Sequence, residues 1–329
     1  MPRLAALAIA MLLPLAARAD CTGPSLVDRL DADQRARVEA AVADMPFAEG
    51  LLWQATRDGQ TVTIVGTMHI WDKRLTAIRD RVEPLLEDTD LLLLEMTPAE
   101  METMQSTIAR DPSLMFLTDG PTLPELLDEP TWDMLADAAR ERGMPPFLVA
   151  KYRPWFLSLT LAAPACAMDL MTSGRQGLDH ILMDIAAAQG LPMQALESWD
   201  TLFTALETGT LEEQLDFLRA GVLDSQVQEE YFVALLDGYF AGEVGRVWEL
   251  GRVAMDFMPG MTAEEADRLH AMSGTMLLTT RNRNWIPVIE EAAARAPRVM
   301  VAAGAAHLPG EEGILALLAA NGWTITPLQ

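Results

Sequence analysis

Cysteine, tyrosine, histidine and base are all scarce in this chain of 329 residues. It has two cysteines, three tyrosines, four histidines, and 24 Lys and Arg against 48 Asp and Glu. Two cysteines cannot build a disulfide-dense scaffold or a Cys-rich zinc module. The deficit of base gives a formal charge of −24. A field of that sign repels phosphate backbones and anionic lipid, so neither nucleic acid nor a membrane surface is an expected partner. No tandem period of repeat-protein length is visible, which excludes a solenoid. After the first twenty residues no apolar stretch approaches the roughly 20 residues of a membrane-spanning helix. What the chain does have is apolar mass: half its residues are hydrophobic, enough at this length for a full core in one large domain or two modest ones.

The N-terminus reads as a separate unit. Arg3 precedes an apolar run over residues 4–15, and Ala17-Arg18-Ala19 is a small-x-small cleavage site, the pattern of a signal peptide over residues 1–19. The run is too short for a membrane anchor. Asp20, beside Cys21, stands where lipoprotein processing needs a small residue, so lipidation is not expected. The mature chain, residues 20–329, is then periplasmic or secreted, and loss of Arg3 and Arg18 leaves 22 bases against the 48 acids. In an oxidising compartment Cys21 and Cys166 are expected to pair as a disulfide.

Residues 28–43 have the spacing of an amphipathic helix. Residues 50–55 and 61–65 flank Arg57-Asp58-Gly59-Gln60 and predict a hairpin, because Asp-Gly supplies the positive φ of a tight turn. Helical spacing over 75–86 leads to an apolar strand over 91–94 that ends in Glu95. A Met-, Leu-, Ala- and Glu-rich helical insertion spans about 97–174. A helix over 177–188, a strand over 193–196 ending in Glu197, and a second helical block at about 211–277 follow. The C-terminal part predicts a helix over 285–294, a strand over 298–303 and a last strand over 323–326. Short apolar strands alternating with helices predict an α/β fold: a mixed, largely buried central sheet with helices on both faces and the helical blocks as a cap. Ligands of such sheets bind outside the carboxyl ends of the strands.

Four of these strands end in a residue able to bind metal or move a proton: His69, Glu95, Glu197 and His307. Both histidines follow a glycine by three residues at a strand end, in Gly66-Thr67-Met68-His69 and Gly304-Ala305-Ala306-His307. A glycine there lets the chain turn sharply and a second loop approach the backbone. Two chemistries fit the set. Two imidazoles with one or two carboxylates suit a divalent Mn, Co or Zn ion that acidifies a bound water. Without metal, one histidine serves as general base while a glutamate orients it or protonates the leaving group. Each residue alone has a plainer role, a hydrogen-bonded structural histidine or a helix-capping glutamate; the coincidence of four equivalent ends points to one site.

Asp179, in the first turn of its helix, is equally suited to the helix dipole and to catalysis. Of Arg281-Asn282-Arg283-Asn284, an asparagine suits an N-cap for the helix at Trp285, and an arginine suits a substrate carboxylate or carbonyl. His180 and His270, in helical stretches, read as solvated or core residues outside the site. Tyr152-Arg153-Pro154-Trp155 reads as a helix start backed by core packing.

Taken in order, Gly66-Thr67-Met68-His69, Leu94-Glu95, Gly177-Leu178-Asp179, Leu196-Glu197-Ser198, Arg281-Asn282 with Trp285, and GAAHLPG from Gly304 resemble the TraB/GumN family. That family is related to the Tiki metalloproteases and, more distantly, to erythromycin-esterase and ChaN-like proteins. The resemblance spans roughly residue 51 to the C-terminus. It implies an α/β fold with both GxxH histidines and a strand-end glutamate at one site, and a metal-dependent peptidase supported by Mn or Co, with His69, Glu95 and His307 on the motif positions. Asp179, Glu197, Arg281 and Asn282 match further positions of the family; Asp200-Thr201 departs from it, where a glutamine is expected nearby.

Three functions are therefore carried forward. The first is an exported metal-dependent hydrolase acting on a peptide or small-molecule substrate. The second is a metal-independent, esterase-like hydrolase using a histidine. The third is an exported binding protein that sequesters a peptide or a haem-like ligand without chemistry.

Overall fold

The computed structural model describes residues 21–207, 210–220 and 224–328; the expected signal peptide, residues 1–19, lies outside the described residues. Six strands form one sheet: β1 (Leu52–Arg57), β2 (Gln60–Thr67), β3 (Leu91–Leu94), β4 (Met193–Ala195), β5 (Arg298–Gly304) and β6 (Thr324–Pro327). Their order is β4-β3-β5-β2-β1-β6. The Asp-Gly hairpin forms where the sequence places it: Asp58 and Gly59 both have positive φ, 50° and 83°, and Arg57 pairs with Gln60 across the turn. Four adjacent strands, β4, β3, β5 and β2, run parallel, while β1 is antiparallel to both β2 and β6. The carboxyl ends of the four parallel strands therefore share one edge of the sheet.

The period-2 alternation of the strands sends successive side chains into two cores. Leu92 and Leu94 of β3 with Met300 and Ala302 of β5 face helices Leu75–Glu87, Leu178–Gln189 and Ser225–Ala241. Leu93 of β3 with Val299, Val301 and Ala303 of β5 face helices Thr280–Arg295 and Ile314–Ala320. The sheet is thus mixed and covered on both faces, as expected for parallel strands of continuous apolar character.

The helical insertion has its own core, where Leu123, Leu135, Val149, Leu157 and Leu161 pack with Leu215 and Leu218 of the second block. The second block divides differently from expectation. Its helix Ser225–Ala241 covers the sheet through Phe232, Leu236 and Tyr239, and its Val227 and Ala234 pack with Leu26, Leu30 and Val38 of the N-terminal helices. Those helices are two, Leu26–Arg29 and Ala32–Ala43. The break comes where Asp31 caps the second helix by accepting from the Gln34 N–H, a local bond that outweighs helix continuation. Cys21 and Cys166 form the expected disulfide, with Cα atoms 5.2 Å apart.

The C-terminal helix differs most from the sequence reading. It begins at Thr280 rather than at Trp285 and continues, without a break, from helix Ala263–Gly274 through a π-helical turn at Thr275–Thr279. Neither Asn282 nor Asn284 is an N-cap, since both lie inside the helix. Such turns concentrate at functional sites, and this one precedes Arg281. Among the described residues no single helix is long and apolar enough to cross a membrane.

Candidate active site

The shared edge gathers every residue singled out there from the sequence. His69 lies two residues beyond β2, Glu95 directly after β3, Glu197 two residues after β4, and His307 ends the 3-10 turn Ala305–His307 after β5. Gly304 marks the centre. Its N–H donates to Glu95 Oε1 at 2.7 Å. A Cβ placed on Gly304 would lie 3.2 Å from Glu95 Oε1, 3.6 Å from the His307 ring and 3.9 Å from His69 Nε2. The glycine leaves this space to the three functional side chains.

Arg281 binds the two glutamates together. Its Nη2 donates to Glu95 Oε2 and to Glu197 Oε1, both at 2.6 Å, and its Nε donates to Glu197 at 2.9 Å. Nη1 donates to the Leu277 carbonyl at 3.1 Å, one turn back in the π-helical segment, and faces His307 Nε2 at 3.3 Å. Trp285 adds its indole N–H to Glu197 at 2.9 Å and lies under the guanidinium, 4.8 Å from its ring centroid. All three guanidinium nitrogens are thus engaged within the protein. Arg281 positions Glu95 and Glu197, and through them shapes the site.

The same contacts fix the state of His307. A guanidinium has only donors, so Nε2 must accept, and the proton sits on Nδ1, which donates to Asn282 Oδ1 at 2.6 Å. Asn282 returns its amide protons to the carbonyls of His307 and Glu312. The Asn282 side chain is therefore a buried brace for His307, the role that replaces the expected cap. His307 also stacks on Trp285 at 4.3 Å. Burial and the nearby Arg281 charge outweigh the pull of Glu95 and push its pKa down to about 4. It is neutral at neutral pH.

His69 is its opposite. Its imidazole is 63% exposed, with Nδ1 3.2 Å from Asp179 Oδ2 and Nε2 toward Gly304. Burial of the residue's surroundings disfavours charge, but the Asp179 hydrogen bond and the charges of Asp179 and Glu95 prevail and raise its pKa to about 9; water at the exposed edge screens part of that effect. Glu95 is ionised. Burial pushes its carboxyl up, yet the positive groups around it and the Gly304 N–H bring it down to about 2. Because His307 is itself uncharged above about pH 4, His69 and Arg281 supply that pull at neutral pH. Asp179 is held well below the usual carboxylate range, against its burial, by His180 and His69.

Local structure locks the His69 loop. The Leu178 N–H donates to the Met68 carbonyl at 2.9 Å, and Gly177 packs so closely that a Cβ there would be 2.3 Å from the His69 carbonyl carbon. Helix Leu178–Gln189 can therefore start against the loop only with glycine at its cap. From behind, the buried Tyr239 hydroxyl donates to the Gly66 carbonyl at 3.0 Å.

His69, Glu95, Asp179, Glu197 and Arg281 border a cleft of about 230 Å³ with an apolar wall of Met96, Met101, Met183, Trp199 and Leu202. Ser198 and Trp199, next to the segment Asp200-Thr201, belong to this wall. Larger cavities lie beside the disulfide and beside Trp155 and Phe217, away from the histidines and acids just described. His180 also borders the cleft, with Nδ1 2.8 Å from Asp179 Oδ2. This corrects its assignment to a position outside the site. The signal was adjacency to Asp179 in the first turn of a helix. The other helical histidine, His270, stacks on Trp248 at 5.1 Å and is no part of the cleft.

An ion of the kind considered from the sequence needs at least three donors free to turn toward one point. Here His307 Nε2 accepts from Arg281 and lies 3.9 Å from Glu95 Oε1. Among the described residues no group of three His, Cys, Asp or Glu side chains is arranged to hold a metal. The cation facing Glu95 and Glu197 is the Arg281 guanidinium, and the donor set does not fit an ion as it stands.

Comparison with known proteins agrees with the ordered motifs. The chain is similar to a protein of uncharacterised function from Treponema pallidum (strain Nichols), 21% identical over 276 residues that cover 82% of this chain and 80% of that one. A model of the TraB/PrgY/gumN family matches residues 51–327, which include every strand and every side chain of the site. The chain belongs to the TraB/PrgY/gumN family.

Proposed function

We propose that the cleft is the active site of a hydrolase that cleaves an acyl bond in a neutral or cationic peptide or small ester. The observation that carries this reading is His69: a histidine exposed to a cleft, its Nδ1 on Asp179 and its Nε2 toward the space beside Gly304 that the ionised Glu95 also borders. With Nδ1 held by Asp179, the proton available to substrate is on Nε2. At neutral pH the ring is mostly charged, so it polarises the scissile carbonyl and protonates the leaving atom. Glu95 accepts a hydrogen bond from the attacking water and orients it. Arg281, Glu197, Asn282 and His307 hold that carboxylate in place. Glu95, Glu197 and Asp179 around the cleft, in a chain of net charge −24, disfavour an anionic substrate.

The test is hydrolysis of a mixed peptide pool, read by mass spectrometry, and of 4-methylumbelliferyl esters by wild type, His69→Gln and Glu95→Gln. Each substitution is expected to lower the rate at least 100-fold. A wild type that cleaves nothing in either set refutes the reading.

A metal-dependent hydrolase built on the same residues is the second reading, favoured by the convergence of His69 Nε2, Glu95 Oε1 and the His307 ring on Gly304. It requires Arg281 to release His307. Metal content after exposure to Mn, Co or Zn, compared between wild type and His69→Ala, decides it: about one ion per chain, lost in the variant, favours metal. We also place the protein outside the cytoplasm. The support is the Cys21–Cys166 disulfide together with the signal-like residues 1–19, and cell fractionation checks it.

A further inference from the structure

The reaction just proposed gives no task to the apolar side of the cleft. Met96, Met101, Met183, Trp199 and Leu202 form that wall. They come from different elements: Met101 from helix Pro98–Arg110, Met183 from helix Leu178–Gln189 and Leu202 from helix Thr201–Glu207. The chain itself sets their distance from the polar residues of the site. Met96 adjoins Glu95, so their Cα atoms are about 3.8 Å apart. Met183 is one helical turn from Asp179, which puts both on one face with Cβ atoms about 5–6 Å apart. Trp199 follows Glu197 by two residues.

We infer that this wall is the specificity pocket of the hydrolase, receiving one large apolar side chain beside the scissile bond, with Trp199 as the residue that sets the preference. The inference rests on the hydrolase reading and names its substrate class: peptides that carry Leu, Met or Phe next to the bond cleaved.

Size, charge and the mounting of Trp199 support it. The cleft holds about 230 Å³, below the roughly 300–1,000 Å³ of sites that enclose a whole drug-sized ligand. It has room for one side chain and the bond beside it, and the rest of the substrate lies outside. Of the acids lining the cleft, Glu95 and Glu197 accept from Arg281, and Asp179 stands between His69 and His180. A charged side chain that entered would give up its water and find these groups already paired. The negative field of the chain acts instead on the parts of the substrate left in solvent.

Trp199 is fixed at both its backbone and its ring. Its N–H donates to Glu100 Oε2 at 3.0 Å, next to Met101 of the wall. The half-buried indole meets Phe203 edge to face, with centroids 5.7 Å apart and planes at 79°. Phe203 in turn lies 5.2 Å from Trp155, which is 2% exposed. A braced aromatic ring among three methionines combines a fixed plate with an adaptable wall, because thioether side chains repack around apolar groups of different shape. The preference is therefore for large apolar side chains as a class.

The peptide pool above locates a cleaved bond. Copies of that peptide with Leu, Met, Phe, Ala, Lys or Glu on either side of the bond then test the inference through kcat/KM. On one side, Leu, Met and Phe should exceed Ala at least tenfold, and Lys and Glu should fall below Ala. Trp199→Ala should bring the Phe-to-Ala ratio to within threefold, while Trp199→Phe keeps it above that. Met101→Lys puts a cation in the wall and should raise the Glu-to-Phe ratio at least tenfold. Each ratio is taken within one protein sample, so loss of folded protein does not move it; where one variant is inactive, the ratio in the other decides. A wild type that cleaves peptides without preference on either side, or a preference that no variant changes, overturns the pocket and leaves the hydrolase reading standing. A wild type that cleaves esters but no peptide overturns this inference alone, and one that cleaves neither refutes the hydrolase reading with it.

Discussion

Replacing Arg281 by methionine should destabilise the protein by about 3–5 kcal/mol, the cost of removing one partner from a buried charge network. The structure sets the scale. Arg281 is 8% exposed and is the cation shared by Glu95 and Glu197, whose side chains are 17% and 11% exposed. In the wild type the Glu95 carboxyl is displaced from 4.5 to about 2 against its own burial, which corresponds to about 3 kcal/mol of preference for the charged form, of which Arg281 supplies a share. The sign follows from proton linkage. A carboxyl with a depressed folded pKa contributes stability that is present above about pH 4.5 and is lost as pH falls toward 2. In Arg281→Met the carboxyl is pushed upward instead, so the variant should gain stability on acidification from pH 7 to 5, where the contribution of Glu95 to the wild type is flat. Urea unfolding followed by tryptophan fluorescence at pH 5, 6 and 7 measures both effects, and Arg281→Met/Glu197→Gln should recover part of the loss. A single variant within 1 kcal/mol of wild type, with the same pH trend, would refute the linchpin role of the guanidinium.

Four further outcomes are expected. Asn282→Ala strips His307 Nδ1 and two carbonyls of their partner and should cost about 1–3 kcal/mol by urea unfolding. His307, with its folded pKa near 4 against 6.5 unfolded, resists protonation when folded. Its neutral burial therefore contributes fully above about pH 6.5 and loses about 3 kcal/mol as pH falls toward 4, a trend that His307→Asn should flatten. His69 has the reverse sign: its attraction to Asp179 is present below about pH 6.5 and is lost as pH rises through about 9, so its imidazole midpoint should drop in Asp179→Asn when followed by NMR. Replacing Cys21 and Cys166 by serine opens a bridge of sequence separation 145 and should lower stability by about 5 kcal/mol.

Much of the site was legible in the sequence because strand ends are local signals. An apolar run, a glycine and a histidine predict where His69 and His307 emerge, and Leu91–Leu94 followed by Glu95 reads the same way. The hairpin was legible because only a positive-φ turn accommodates Asp58-Gly59. The roles of Arg281, Asn282 and His180 were not. Asn282 next to an expected helix start has the local pattern of a cap, and nothing in its neighbourhood announces a π-helical turn that carries the helix past it. His180 looks like any helical histidine until Gly177 brings the start of its helix onto the His69 loop. Trp285, stacked on His307 and bonded to Glu197, resembles an ordinary core residue until β5 is placed alongside.

Sequence alone, then, determined the α/β class, the strands with their reactive ends and the family, because these depend on periodicity, turn chemistry and residue order along the chain. Tertiary structure alone decided which side chains meet: that Arg281 stands between two glutamates, that one histidine is buried and neutral while the other is exposed and charged, and that a third shares its carboxylate. Charge state and hydrogen-bond partnership are set by groups up to some two hundred residues apart, and no local pattern encodes them.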